Sequence, residues 1–144
     1  MHPFSQESEA TEMSTLSYEQ AERLIQLFAD RYIRKDYDAF LDLFTDAIVF
    51  EFPYAQEPNP KRLDGKASLQ QYLEKLEKVL EITSFTKPVI HVAAGAPVFF
   101  AQFEASGSNL LTGGSYEQSY ISVVEVQDGR IVRYQDYWNP LAVN

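Results

Sequence analysis

The chain has 144 residues, enough for one domain and too few for a second core. It is 45% hydrophobic and 23% charged, an ordinary globular balance that excludes global disorder and fibrous classes. Twelve basic against twenty-one acidic residues give a net charge of −9, which repels phosphate backbones and anionic lipid, so no nucleic-acid or membrane partner is expected.

Residues 1–16 read as a polar leader. Glu7, Glu9 and Glu12 stand there without Lys, Arg or an apolar run, which matches neither a signal nor a transit pattern. The expectation is a cytoplasmic protein with one domain over residues 17–144. Ser17 and Gln20 have capping-box spacing, and Leu24, Leu27, Phe28, Tyr32 and Ile33 recur at helical spacing to about Arg34. A short second helix is expected over 37–44 and a β-branched, aromatic strand over 47–52, closed by Pro53. Residues 54–64, with Pro58 and Pro60, read as a loop. From Gly65 a third helix runs to about Glu81, with Leu69, Tyr72, Leu73, Leu76 and Leu80 on one stripe. The period then changes to 2, giving strands over 83–94, 98–106, 115–127 and 130–138. Asp128-Gly129 is a two-residue hairpin signal between the last two. The fold class expected is α+β: three N-terminal helices packed on a strongly curved antiparallel sheet.

No cysteine is present, so there is no disulfide, thiolate nucleophile or thiolate metal site. His2 and His91 lie far apart and offer no paired-ligand spacing, so no metal is expected. Nine Tyr, ten Phe and one Trp exceed what a small core needs, and some of these rings are expected to line a cavity.

The order of elements resembles the cone-shaped fold of the nuclear transport factor 2-like, or SnoaL-like, superfamily, which includes ketosteroid isomerases. The resemblance rests on Phe50-Glu51-Phe52-Pro53, on Leu63-Asp64-Gly65-Lys66 leading into the third helix, and on the run from Asp128 to Leu141. From Tyr116 to Pro140 the chain looks most like the phenazine-biosynthesis A/B proteins. In such cones the concave sheet face lines a pocket, and alternation selects which side chains point inward. On the last strand these are Tyr134, Asp136 and Trp138, and on the preceding one Gln118, Tyr120, Ser122 and Val124. Phe99, Ala101 and Phe103 join from the neighbouring strand, Phe50 and Phe52 from the first, and Phe28 and Tyr72 from the helices. The candidate substrate-binding residues are therefore Tyr120, Tyr134, Trp138, Phe28, Phe50, Phe52, Tyr72, Phe99, Phe103, Gln118 and Ser122. The expected ligand is small and hydrophobic or aromatic.

Asp136 is the candidate catalytic residue. A carboxyl between Tyr134 and Trp138 is desolvated, which raises its pKa toward the range of a general acid or base. It also falls where the phenazine-biosynthesis proteins carry an acid–base glutamate and limonene-epoxide hydrolases an aspartate. The competing reading is that Asp136 hydrogen-bonds Tyr120 or the backbone and only fixes a strand. Other family residues are missing. The tyrosine, aspartate base and protonated acid of the isomerases align with Phe28, Phe52 and Ser122, and the water-holding pair of the epoxide hydrolases with Phe50 and Phe52. Their arginine and second aspartate fall on Gln102 and Glu104, or, one residue over, on Ala101 and Phe103.

The resemblance and the chamber imply a small cofactor-independent enzyme of secondary metabolism. It would use Asp136 to move a proton on a cyclic or polyketide-like carbonyl compound, by cyclisation, condensation, dehydration or isomerisation. The alternative is a non-catalytic binding or assembly module of the same fold. Phe100, Ile121 and Val123 on the opposite sheet face, through which superfamily members pair, lead to the expectation of a homodimer. His91 is expected outward or satisfied, Glu51 away from the pocket, and Lys61 and Arg62 solvated in the loop.

Overall fold

The computed structural model describes residues 16–142, so the leader apart from Leu16 lies outside the described residues. Helix α1 spans Tyr18–Ile33. Its capping box is formed in full: the Gln20 backbone N–H donates to Ser17 Oγ at 3.1 Å, and the Ser17 N–H donates to Gln20 Oε1 at 2.9 Å. Helix α2 covers only Tyr37–Leu41, capped by Asp36, and not the stretch to Phe44. Phe44 instead opens strand β1, Phe44–Glu51, three residues before the expected start. A three-residue strand β2, Arg62–Asp64, lies where a loop was expected and pairs antiparallel with Val49–Glu51.

Helix α3, Lys66–Leu76, ends five residues short of Glu81, because the chain from Leu80 is recruited into the sheet as β3, Leu80–Phe85. The expected single strand over 83–94 is two. After β3 the segment 86–88 contains Pro88, which has no N–H for a ladder, and β4, Val89–Val92, resumes farther along the same partner. That partner is β5, Val98–Asn109, whose far end pairs with β3 and whose near end pairs with β4. Strands β6, Ser115–Gln127, and β7, Arg130–Trp138, complete the sheet. Asp128 (φ 52°) and Gly129 (φ 78°) form the hairpin turn between them, both in the left-handed region that such two-residue turns require.

The sheet order is β2-β1-β7-β6-β5-β3, with β4 also on β5. It is mixed and not purely antiparallel, because β1 runs parallel to β7. More than half of the chain separates those two strands, so no tight turn forces them antiparallel. Of the three helices, two precede β1 and the third follows β2. Register shifts within the β1–β7, β3–β5 and β6–β7 pairs bend the ladders and curve the sheet. Gly107 allows the tightest approach: a Cβ there would lie 1.9 Å from the Glu81 carbonyl oxygen.

The concave face holds the core, with Leu24 and Ile25 of α1, Phe40 of α2 and Leu69 of α3 packed against Phe44, Ile48, Phe99, Val124, Ile131 and Tyr134. Leu16 already belongs to it. No helix among the described residues is long and apolar enough to cross a membrane.

Candidate functional site

Tyr134 fixes the floor of the site. Its ring is sandwiched between Phe50 on β1 (centroids 4.6 Å, 9° between planes) and Phe28 on α1 (4.9 Å, 7°). Its hydroxyl shares a 2.5 Å hydrogen bond with Ser122 Oγ on β6, so this deeply buried polar pair is satisfied. Strand alternation then carries Asp136 and Trp138 to the same face, above Tyr134 and toward the open end of the cone.

A cavity of about 380 Å³ opens there between α1, α3 and the sheet. Phe52 joins its walls by contacting Tyr72 of α3 (4.9 Å) and Trp138 (5.8 Å). On the opposite side Phe103 stacks on Tyr120 (5.5 Å) and meets Phe85 edge-on (5.5 Å). Ala55, Asn59 and Pro60 of the 53–61 loop line it as well. Ten of the sequence-derived binding and catalytic candidates line this cavity: Phe28, Phe50, Phe52, Tyr72, Phe103, Gln118, Tyr120, Tyr134, Asp136 and Trp138.

Two candidates do not. Phe99 points to the concave side but sits fully buried in the closed core, paired with Val124 below the cavity. Ser122 is likewise fully enclosed, and its hydroxyl is used by Tyr134. Gln118 lines the cavity with its amide occupied: Nε2 donates to the Asn139 carbonyl (3.1 Å), and Oε1 accepts from the N–H groups of Asn139 (2.9 Å) and Ser119 (3.0 Å). It clamps the chain leaving β7 and has little left for a ligand.

The register also decides between the two alignments left open for β5. Ala101 and Phe103 face inward, and Gln102 and Glu104 are exposed on the other face. His91 is exposed on β4, and Glu51 points away from the cavity to pair with Arg133 at 2.8 Å. Arg62 pairs with Asp64 at 2.9 Å, and neither it nor Lys61 lines the cavity.

Several lining residues escaped the sequence reading, notably Tyr32 of α1, Phe85 of β3 and Tyr116 of β6. Tyr116 shares the parity of Gln118 and Tyr120, and its hydroxyl hydrogen-bonds that of Tyr120. Tyr32 follows Phe28 by one helical turn. Both signals were present in the pattern.

Asp136 is enclosed by protein, and the part of it that a solvent molecule can touch faces the cavity. Its carboxyl accepts no hydrogen bond among the described residues; Tyr120 bonds to Tyr116 and Tyr134 to Ser122. Desolvation alone pushes it up from the ordinary 3.8 to about 7. The surrounding phenols, Tyr32, Tyr72, Tyr116, Tyr120 and Tyr134, are raised chiefly by burial and further by charged neighbours that include Asp136, so all stay neutral donors. No Lys, Arg or His lines the cavity among the described residues, and none of their acidic and histidine groups cluster as a metal site would require.

The SnoaL-like domain family matches residues 22–134, which span every element from α1 into β7. The chain belongs to the SnoaL-like family. A Bacillus subtilis relative, uncharacterized protein YesE, is 43% identical over 126 residues, 88% of this chain and 86% of that one. A solved structure of a proposed isomerase from Bacillus subtilis superposes with a TM-score of 0.83 at 43% identity, over 88% of this chain and 91% of that one. The PhzA/B-like protein PA3332 of Pseudomonas aeruginosa, itself uncharacterized, is 32% identical over 74% of each chain. The resemblance to phenazine-biosynthesis A/B proteins read from the closing strands thus has a counterpart among the relatives. In this SnoaL-like chamber one carboxyl poised near neutrality stands among neutral phenols and apolar walls. Such a set can hold a flat, uncharged, oxygen-bearing ligand and exchange one proton with it.

Proposed function

We propose that the protein is a cofactor-independent enzyme of secondary metabolism in which Asp136 transfers a proton on a cyclic or polyketide-like carbonyl compound. One observation carries this reading: a carboxyl without a hydrogen-bond partner among the described residues, facing a cavity and held near neutrality by desolvation. An acid kept for structure would be hydrogen-bonded to the fold, whereas the Asp136 carboxyl opens onto the cavity instead. A carboxyl poised near 7 both accepts and returns a proton at physiological pH, which serves cyclisation, condensation, dehydration or isomerisation alike. We place the enzyme in the cytoplasm, where a chain without cysteine needs no oxidising environment.

The test needs no natural substrate. 2-Tetralone, a flat bicyclic ketone with acidic α-hydrogens, is incubated with the protein in D₂O and its α-exchange followed by NMR. Wild type is expected to accelerate exchange, and Asp136→Asn to lose about 100-fold or more while remaining folded. Exchange unaffected by Asp136→Asn would overturn the assignment.

A second reading, a binding module without turnover, is favoured by a different observation. Asp136 is the one carboxyl among the described lining residues and has no histidine or lysine beside it. It predicts ligand binding with no exchange above solvent.

The same proposal includes a homodimer through the convex face, where Val89, Phe100 and Ile121 are exposed on adjacent strands. Light scattering is expected to give twice the 16.5 kDa of the chain, and a mass of one chain at micromolar concentration would refute pairing.

A further inference from the structure

Asp136 can take a proton from carbon only if something holds the charge that appears on the carbonyl oxygen. No cation among the described residues reaches the cavity, so a neutral donor has to do this. Four phenols line it above the Tyr134 floor: Tyr32, Tyr72, Tyr116 and Tyr120. Among the described residues two of these hydroxyls meet, those of Tyr116 and Tyr120, four residues apart on the same face of strand β6.

We propose that the Tyr116–Tyr120 hydroxyl pair is the carbonyl-binding and oxyanion-holding element of the site, with Tyr116 as the group that touches the substrate oxygen. This rests on the proton-transfer reading of Asp136 and adds the partner that reading lacks.

Either hydroxyl can donate to the other, and we take Tyr120 as the donor. Tyr120 packs under Phe103, while Tyr116 lies nearer the end of β6. If Tyr120 donates to Tyr116, the Tyr116 proton is free for a ligand. Accepting a hydrogen bond also polarises the Tyr116 O–H and strengthens its donation. Burial raises both phenols, so both hydroxyls stay protonated and able to donate. Tyr120 lies opposite Trp138 and Ser122 opposite Asp136, so the Tyr120 and Asp136 positions are two residues, about 7 Å, apart along the ladder, and Tyr116 joins them in the cavity through its hydroxyl bond to Tyr120.

The step balances without another reactant. The Asp136 carboxylate takes the α-hydrogen as a proton, and the C–H electron pair becomes the new C=C bond. The carbonyl π pair moves onto oxygen, where the Tyr116 hydroxyl donates to it. Return of the proton from Asp136 to carbon restores the carboxylate.

The experiment compares two ligands of one frame, 2-tetralone and tetralin, which lacks the oxygen. Affinities are read from the fluorescence of Trp138, which lines the cavity and is the only tryptophan. The same samples report α-exchange of 2-tetralone. Tyr116→Phe is expected to weaken the ketone about 5–10-fold, to leave tetralin unchanged and to slow exchange about 100-fold. Tyr120→Phe, acting through Tyr116, should lower the exchange rate with a smaller change in ketone affinity. This second variant also keeps the idea testable should Tyr116→Phe fold poorly.

Wild-type protein that binds ketone no better than tetralin overturns the proposal. So does a Tyr116→Phe variant with wild-type ketone preference and exchange, and in that case exchange that still depends on Asp136 leaves the proton-transfer reading intact. Conversely, a ketone preference lost in Tyr116→Phe, with no exchange in any variant, supports the hydroxyl pair as the oxygen site and refutes the role of Asp136.

Discussion

Replacing Asp136 by Asn should make the protein more stable relative to wild type as the pH rises. In the folded chain the carboxyl titrates at about 7, against 3.8 for an ordinary aspartate. Between those values the folded state keeps its proton while the unfolded state has lost it. The native state therefore binds more protons, and wild-type stability falls with rising pH. At about 1.4 kcal/mol per tenfold, the whole interval amounts to about 4 kcal/mol of destabilisation above pH 7. The chain has an isoelectric point near 4.6, where solubility is lowest, so the useful window starts above it. From pH 5.5 to 8.5 the linkage relation leaves about 2 kcal/mol of that loss. Asn cannot ionise, so its curve lacks this component while every other titration is shared. Urea unfolding of both proteins, followed by Trp138 fluorescence at the two pH values, isolates the difference. The Asn variant should gain about 2 kcal/mol on wild type between pH 5.5 and 8.5. A gap that stays constant across the window would show that Asp136 titrates normally, and the desolvated-acid argument would fail with it.

The exchange rate itself should rise with pH as the carboxylate forms, with a midpoint near 7 and a plateau above; a midpoint near 4 would mean a hydrated carboxyl. Tyr134→Phe keeps the ring sandwich but strands the buried Ser122 hydroxyl, so a loss of about 1–3 kcal/mol is expected in urea unfolding, and none would show that water replaces the phenol. Gly107→Ala drives a methyl into the Glu81 carbonyl and should cost about 1–3 kcal/mol, with faster amide exchange confined to β3. Uniform exchange across the sheet would contradict that local account.

Much of this architecture is legible in the sequence because β6, and β7 from Arg133 onward, alternate in the stretch that carries the site. Parity beyond the bulge at Glu125/Val126 places Tyr120, Tyr134, Asp136 and Trp138 on one face; Asp128-Gly129 marks the hairpin, while the bulge shifts its register by one residue before the site. Parity says which face a residue joins and not how deep it lies. That is why Phe99 and Ser122, on the correct face, belong to the closed core and not to the cavity. The end of α3 was illegible for a different reason. Leu80 follows Leu76 at a helical interval, so it continues the stripe although the chain has already turned into β3. Strand β2 is three residues long and carries no period at all. The parallel β1–β7 pairing joins segments some 80 residues apart and depends on where the sheet ends meet, which no local pattern encodes.

The same packing that makes the fold readable forces the acid into its place. Tyr134 is clamped on both faces by Phe28 and Phe50 and held at its tip by Ser122. Slipping β7 by one residue would expel that ring and turn Arg133 and Gln135 into the chamber, exchanging a buried aromatic sandwich for a buried cation. The register is therefore set by Tyr134, and Asp136 two residues on has no freedom to turn away. It faces apolar walls and phenols that stay neutral, with no cation among the described lining residues to pair with. A carboxyl in that position destabilises the fold when it is ionised, and the cavity is the side from which a ligand can reach it. Asn at this position would relieve that cost, so the aspartate is better accounted for by the proposed proton transfer than by packing.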